Sequence, residues 1–330
     1  MGAVGRTGGM VLAVLGAAAG AVWQAAPASA TPAAGGAAPV MRTQVAYVRS
    51  GNVYVSKGAA ETRLTTGGGY SRPRWSRDGR QLAVLKSGQL WVMKADGSAK
   101  RRLSTRPAAG ASWSPDGQWI AFASLSCTGG PGVYRISATV PGAGPQVLFP
   151  AECRGEALPD QPAATPAATG TLAERLRFDN AVAWSPDGTS IAFRGGVCES
   201  VYDDCLTVGT VSTGDERTVA AYGGGGLQNS GFAVMPSWRP DGTRLAWTAY
   251  QQGETAADNQ PVHLVEFDPA TGAKRTVGAA QDRELAYVDA GKAVVTGQYR
   301  GGSWVLVLDM RTGARTPFHA GSQPSVQPVA

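Results

Sequence analysis

The chemistry open to this chain is limited first by its imidazoles, since His263 and His319 are the only histidines in 330 residues. A hydrolytic relay needs a nucleophile beside a base that a carboxylate orients, and no Gly-x-Ser-x-Gly elbow occurs in the sequence. His263 opens an alternating, strand-like run and His319 lies near the chain end, so neither is assigned a catalytic role. Cation binding would draw on Glu199, Asp203 and Asp204 in the segment ESVYDD, which are clustered enough to hold Ca2+. A solvated acidic loop is the simpler reading of such a cluster, and no metal ligand or cofactor is assigned. Thiol chemistry is the third option. Cys127, Cys153, Cys198 and Cys205 lack the close Cys pairs of a zinc ligand set, and they are expected to form two disulfides in an oxidising compartment.

A fourth set of chemically able residues recurs in register: Asp78, Asp116, Asp187 and Asp241 stand in WSRDG, WSPDG, WSPDG and WRPDG, each followed by an apolar-Ala-apolar triplet. Recurrence decides their role. In SPDG the Pro presets φ at the first central turn position, the Asp can bond its own backbone, and the Gly tolerates a left-handed conformation. Gly79, Gly117, Gly188 and Gly242 therefore mark tight turns, and the Asp residues are turn residues before they are acids. The registered Trp75, Trp113, Trp184 and Trp238 are read as packing residues.

Around Trp113 the period is two on both faces of the pleat, which suits a strand buried on both sides. A third and a fourth strand follow, joined by a Gly turn in LWVMKADGSAKRRL, HLVEFDPATGAKRTV and WVLVLDMRTGARTPF. Four strands per unit is a propeller blade. VAYVRSGNVYVSKGAAETRL from Val45 and AYVDAGKAVV from Ala286 add two units without the Trp signature, making six. The unit from Val45 lacks a first strand, and GSQPSV near the C-terminus echoes the opening of the next unit. The expected fold is an all-β, six-bladed propeller of four-stranded antiparallel blades, closed by strands from both termini.

Over residues 43 to 330 these WD-repeat-like Trp-Ser-Pro-Asp-Gly units resemble the TolB-like six-bladed β-propeller family. The resemblance implies the fold more strongly than any one activity. TolB itself carries an additional N-terminal α/β domain and works with the Tol-Pal envelope system, and the leader here has no room for that domain. The same propeller type precedes the catalytic domain of prolyl oligopeptidase-like peptidases, whereas this chain ends with its sixth blade.

Residues 1–30 read as a secretory signal peptide: Arg6, the apolar core MVLAVLGAAAGAV, and ASA ending at Ala30. The apolar run is shorter than the ~20 residues of a bilayer span, so no stable membrane span is expected after cleavage. Residues 31–42 read as a flexible leader. The formal net charge of +6 has no basic run behind it, which argues against nucleic acid. A secreted or cell-envelope monomer is expected.

In an up-and-down blade the connections alternate between the two faces of the disc. Parity places every long connection on one face, including an insertion at about 151–180 and the segments 124–132, 195–205, 222–232 and 250–260. All four cysteines fall there. Pairing Cys127 with Cys153 and Cys198 with Cys205 keeps each bond within one blade's loops. Loops on a rigid scaffold carry function disproportionately. The expected function is therefore non-catalytic binding of a protein, peptide or cell-envelope polymer through this face, with Tyr202, Phe232, Tyr250, Tyr299 and Arg300 as contact residues. The alternative is a metal-dependent hydrolase or lactonase-type enzyme using the central channel.

Overall fold

A computed structural model describes residues 38–156, 169–196, 198, 204–223, 230–253 and 255–329. The described residues form six four-stranded antiparallel sheets. Each strand pair is written in the repeat: Trp119–Leu125 places Ile120, Ala121 and Phe122 in succession with 0% exposure, because neighbouring blades cover both of its faces. Burying an aromatic side chain such as Phe122 contributes roughly 1.5–3 kcal/mol. The innermost strands touch in sequence around a complete circuit, which makes the sheets the blades of a propeller.

The turns between first and second strands are built as expected. The Ser114 hydroxyl donates to Asp116 Oδ1 at 2.5 Å, and the same oxygen accepts from Gln118 N at 3.0 Å. Gly117 sits at φ +70°, where a side chain would be strained. Ser76 with Asp78 and Ser185 with Asp187 repeat the bond at 2.6 Å. In the fourth copy Arg239 stands where the others have Ser, and its Nε donates to Asp241 at 2.9 Å. The Ser hydroxyl and then the backbone N–H hold the Asp116 carboxyl below its ordinary range. All four carboxylates are engaged inside their own turns.

Blade one is assembled from both ends of the chain. Val45–Arg49 pairs with Asn52–Ser56 on one side and with Ser322–Val326 on the other, where Val45 faces Val326 and Ala46 faces Ser325. Gln327 N donates to Gln44 O at 2.8 Å, and Gln327 Nε2 to Gly79 O at 2.9 Å, tying the closing segment to blades one and two. Met41, counted with the leader from sequence, is 6% exposed and packs with Tyr47, Val305 and Phe318 at the seam of blades one and six. The packed chain thus starts earlier than residue 43.

Both expected disulfides are present, Cys127–Cys153 with Cα atoms 5.6 Å apart and Cys198–Cys205 at 5.9 Å. On a chain-entropy account they contribute roughly 3.5 and 2.5 kcal/mol. Residues 1–37, which hold the expected signal peptide, lie outside the described residues, as do 157–168 of the insertion.

Deleting residues 322–330 removes the closing strand and leaves Val45–Arg49 as an unpaired edge. The truncated chain is expected to lose its cooperative thermal transition and to elute as oligomers in size-exclusion chromatography. A monomeric truncation with an unchanged melting temperature would contradict this role for the closing strand.

Candidate functional site

The first strand of each blade lines the central channel, and the repeat puts equivalent residues at equal depth. Three residues before each registered Trp, or its counterparts Tyr287 and Val326, stand Arg72, Gly110, Ala181, Met235, Glu284 and Gln323. Four of these are non-glycine residues at positive φ: Arg72 at +51°, Met235 at +57°, Glu284 at +58° and Gln323 at +59°. Each coincides with a register shift in its strand pair. Such bulges re-aim a side chain, at a cost of order 1–3 kcal/mol for the backbone conformation.

These residues meet one another. Arg72 Nη1 lies 3.1 Å from Glu284 Oε1, Arg72 Nη2 is 3.1 Å from Met235 Sδ and also donates to Asp179, and Arg72 N donates to Gln323 Oε1 at 2.8 Å. Arg72 and Glu284 are buried. Glu284 Oε2 accepts from Thr296 Oγ1 at 2.5 Å and from Gln323 N at 2.8 Å. Burial pushes the Glu284 carboxyl up, but Arg72, Arg283 and these hydrogen bonds outweigh it and hold the group below its ordinary value. Gly110 leaves room in the same layer, since a Cβ there would stand 2.5 Å from Ala181 Cβ. A network of charged groups therefore crosses the channel at mid-depth.

Toward the face that carries the SPDG turns, the channel opens into a cavity of about 310 Å3. Its wall includes the layer one residue before each Trp: Arg74, Ser112, Ala183, Ser237, Ala286 and Ser325. Trp75, Trp113, Trp184, Trp238 and Tyr287 surround it, so the registered aromatics pack the blades and also line the channel mouth. Arg74 Nη1 donates to Pro73 O at 3.0 Å, and no carboxylate pairs with it among the described residues. Burial, then the neighbouring Arg72, pushes the Arg74 guanidinium down to about 10. In the sequence this layer is inconspicuous, because Ser and Ala beside a Trp look like spacers. Comparing the six copies position by position would have exposed the single Arg.

On the opposite, loop-rich face the expected contact residues separate. Phe232 is 1% exposed and stacks on the half-buried Tyr250 with ring centroids 5.5 Å apart. Both belong to the apolar cluster that seats a short helix, Leu172–Leu176, of the insertion through Leu176, Val234, Met235 and Val262. This corrects the contact role assigned to Phe232, whose side chain is consumed by that packing. The end of the insertion also carries Asp179, the partner of Arg72. Tyr202 lies outside the described residues, as do Glu199 and Asp203. Asp204 is paired with Arg194 at 2.6 Å, and burial pushes its carboxyl up despite that partner. Arg194 Nη1 further donates to Arg177 O at 2.6 Å, so this ion pair anchors the insertion. No group of three or more His, Cys, Asp or Glu side chains placed to hold a metal occurs among the described residues.

Tyr299 and Arg300 do reach this face. Arg300 at φ +49° and Gly301 at +76° form a two-residue hairpin of the type-I′ kind, with Arg300 exposed and its guanidinium 5.2 Å from the Tyr299 ring centroid. Blades one and two repeat the device: Arg49 lies 4.2 Å over Tyr54, and Lys86 lies 5.4 Å over Trp91. The long connections arise from blades three to five. The loop-rich face is thus a ridge over three blades beside a shelf of aromatic and cationic side chains over the other three. Phe178, 43% exposed on the ridge, went unnoticed in the sequence because it follows a basic stretch.

Both histidines are engaged. His263 is 8% exposed, its Nδ1 is 2.7 Å from Pro261 O, and burial lowers its pKa. His319 Nε2 lies 2.9 Å from Ser56 Oγ and its Nδ1 3.4 Å from Glu61, an order that resembles a hydroxyl–imidazole–carboxylate relay. The surroundings oppose that chemistry. Nε2 is 2.8 Å from Gly58 O, a pure acceptor, so it carries a proton and cannot take one from Ser56. The Ser56 hydroxyl already points to Gly58 O and Ala60 O at 2.7 Å. With Tyr47 stacked on His319 at 5.4 Å, the group clasps blade six to blade one.

No protein-family model matches the chain, and no curated protein does. Among solved structures it is similar to TolB from Acinetobacter baumannii, with a TM-score of 0.63 and 13% identity over 88% of this chain and 68% of that one. A putative TolB from Agrobacterium tumefaciens aligns with a TM-score of 0.57 and 16% identity over 86% and 92% of the two chains. Hydrazine synthase from Kuenenia stuttgartiensis aligns with a TM-score of 0.57 and 11% identity over 88% and 47%. Identities this low speak for the fold alone. The chain has the TolB-like six-bladed propeller fold.

Arg72→Met leaves Glu284 and Asp179 without their counter-charge and is expected to cost about 3–5 kcal/mol in denaturant unfolding. Glu284 has a folded pKa below its ordinary 4.5, so its contribution is complete above that pH and is lost as pH falls through the lower folded value. Wild type is expected to lose stability below about pH 4.3 more steeply than Glu284→Gln. Parallel acid denaturation curves for the two proteins would refute the assignment.

Proposed function

We propose that this protein is an extracytoplasmic, non-catalytic propeller that binds a protein, peptide or cell-envelope polymer through its loop-rich face. The observation that carries this reading is the asymmetry between the faces: both disulfides and the insertion with its helix stand on one side, while the other side carries the SPDG-type turns and no connection longer than that between Pro131–Ser137 and Gln146–Phe149. Cross-links in loops reduce the ordering cost of binding, which gives them a purpose beyond the stability of a ring that is already closed. The shelf of Tyr54, Trp91 and Tyr299 with their overlying cations adds rigid amphipathic contact area beside the ridge. The similarity to TolB propellers and the disulfides support the extracytoplasmic location.

The test is affinity capture from cell-envelope extract on immobilised protein. A partner should be retained by wild type and reduced at least about fivefold by Phe178→Ala combined with Tyr299→Ala and Arg300→Ala, since each removes a face residue of hot-spot type. The melting temperature should fall by no more than several degrees, because Phe178 and Arg300 are exposed and Tyr299 packs only at the edge of the blade-six core, beside Trp304. Metal-dependent turnover by the purified protein, unaffected by the triple variant, would favour the channel enzyme instead.

A further inference from the structure

We propose that the cavity on the turn face is a binding site for a carboxylate attached to an apolar body, with Arg74 as its charged anchor. The site is separate from the loop-rich face, and either reading can fail without the other.

Charge comes first. The cavity wall carries two arginines, Arg74 within it and the exposed Arg77 at its mouth, and no carboxylate. Arg74 Nη1 meets only carbonyls, Pro73 O at 3.0 Å and Pro324 O at 3.4 Å, and its Nε and Nη2 have no protein acceptor among the described residues. Arg72, one layer deeper, has Glu284 and Asp179, so the two guanidiniums differ in the one feature that matters. A guanidinium left without a counter-charge presents the planar fork that suits a carboxylate.

Apart from those carbonyls, the serine hydroxyls in the layer of Arg74 keep a hydrogen to donate. Ser112 Oγ accepts from Trp184 N at 2.9 Å and Ser325 Oγ from Trp75 N at 3.3 Å. Each bond occupies an oxygen lone pair and leaves the hydroxyl hydrogen for another acceptor. The Ser237 side chain in the same layer makes no hydrogen bond among the described residues, its backbone pairing with Ala246. The indole Nε1 atoms of Trp75 and Trp238 are buried and unpaired. An anion with several lone pairs would accept from more than one of the serine hydroxyls at once. The aromatic and proline wall requires that the rest of the ligand be apolar. With Arg77 exposed at the mouth, the one guanidinium set within the wall favours a monoanionic carboxylate over a phosphate dianion, whose second charge would lack a partner there. The volume of about 310 Å3 admits a small acid or the last residues of a polypeptide with a free terminus.

Four tryptophans line the cavity, so intrinsic fluorescence reports on it directly. The probes are 4-methylpentanoate, its uncharged isostere 4-methylpentanamide, and the peptide Gly-Ala-Leu with a free or an amidated C-terminus. The acid should give a saturable change with half-saturation on the order of 1 mM, as expected for so small a ligand, and the amide at least about tenfold weaker. Arg74→Met should weaken the acid at least about tenfold while leaving the weak amide response unchanged. Should that variant fail to fold, Ser112→Ala with Ser237→Ala, which keeps the guanidinium, should weaken the acid severalfold. Tighter binding of the free-terminus peptide than of the acid identifies a polypeptide terminus as the natural source, and the reverse order identifies a free organic acid. Equal binding of acid and amide, or of wild type and a folded Arg74→Met protein, overturns the proposal. So does the absence of any saturable response to either carboxylate.

Discussion

A four-stranded blade with two apolar faces cannot stand in water, and a row of such blades always leaves two faces bare unless it returns on itself. Closure therefore governs the rest of the structure. Val45–Arg49 can enter the core only because Ser322–Val326 arrives from the far end of the chain to cover its edge. The seam then receives specific polar fastening: His319 with Ser56, Gly58 and Glu61, and Gln327 with Gln44 and Gly79. Those contacts also absorb the arrangement of described residues that resembled a hydrolytic relay. The closing joint and the apparent catalytic group are the same residues, and their hydrogen-bond directions favour the joint.

Closure creates an axis, and each blade places one inner strand on it. Four of the six strands bulge at equal depth and turn Arg72, Met235, Glu284 and Gln323 inward at positive φ. Holding four non-glycine residues in that conformation is unfavourable, so the surroundings must compensate. The Arg72–Glu284 pair, with Asp179 from the insertion, provides directional contacts that only the bulged geometry allows. One consequence reaches the surface. The insertion is fastened to the ring through Asp179, through Arg194 with Arg177 O, and through the cluster around Leu176 and Phe232, so its described end forms part of the scaffold.

The two ends of the channel consequently offer different chemistry. The loop-rich end presents cross-linked segments and cation-bearing aromatics, a surface suited to a broad contact. The turn end presents a small cavity lined by Arg74, serine hydroxyls, prolines and the registered aromatics, with no carboxylate among its lining residues. Both arise from one repeat, because a strand that begins under long connections finishes at a tight turn.

The repeat alone determined the fold class, the blade count, the role of Asp116 and its copies, and the face that bears each loop. Each of these follows from local periodicity and turn chemistry, which act within a few residues. The disulfides were legible in part: parity puts all four cysteines on one face and leaves three pairings, and the pairing that keeps each bond within one blade's loops is the one the structure has. Side-chain availability was not legible. Phe232 and Tyr299 look alike as loop-edge aromatics, yet one is buried by a helix more than fifty residues earlier in the chain and the other is held out by a two-residue turn. Arg72 and Arg74 lie two positions apart, and only the arrival of Glu284 and Asp179 makes one a structural pair and leaves the other facing a cavity. Tertiary structure decided these matters because burial and charge pairing depend on which distant segments meet at the axis, and ring closure alone sets that.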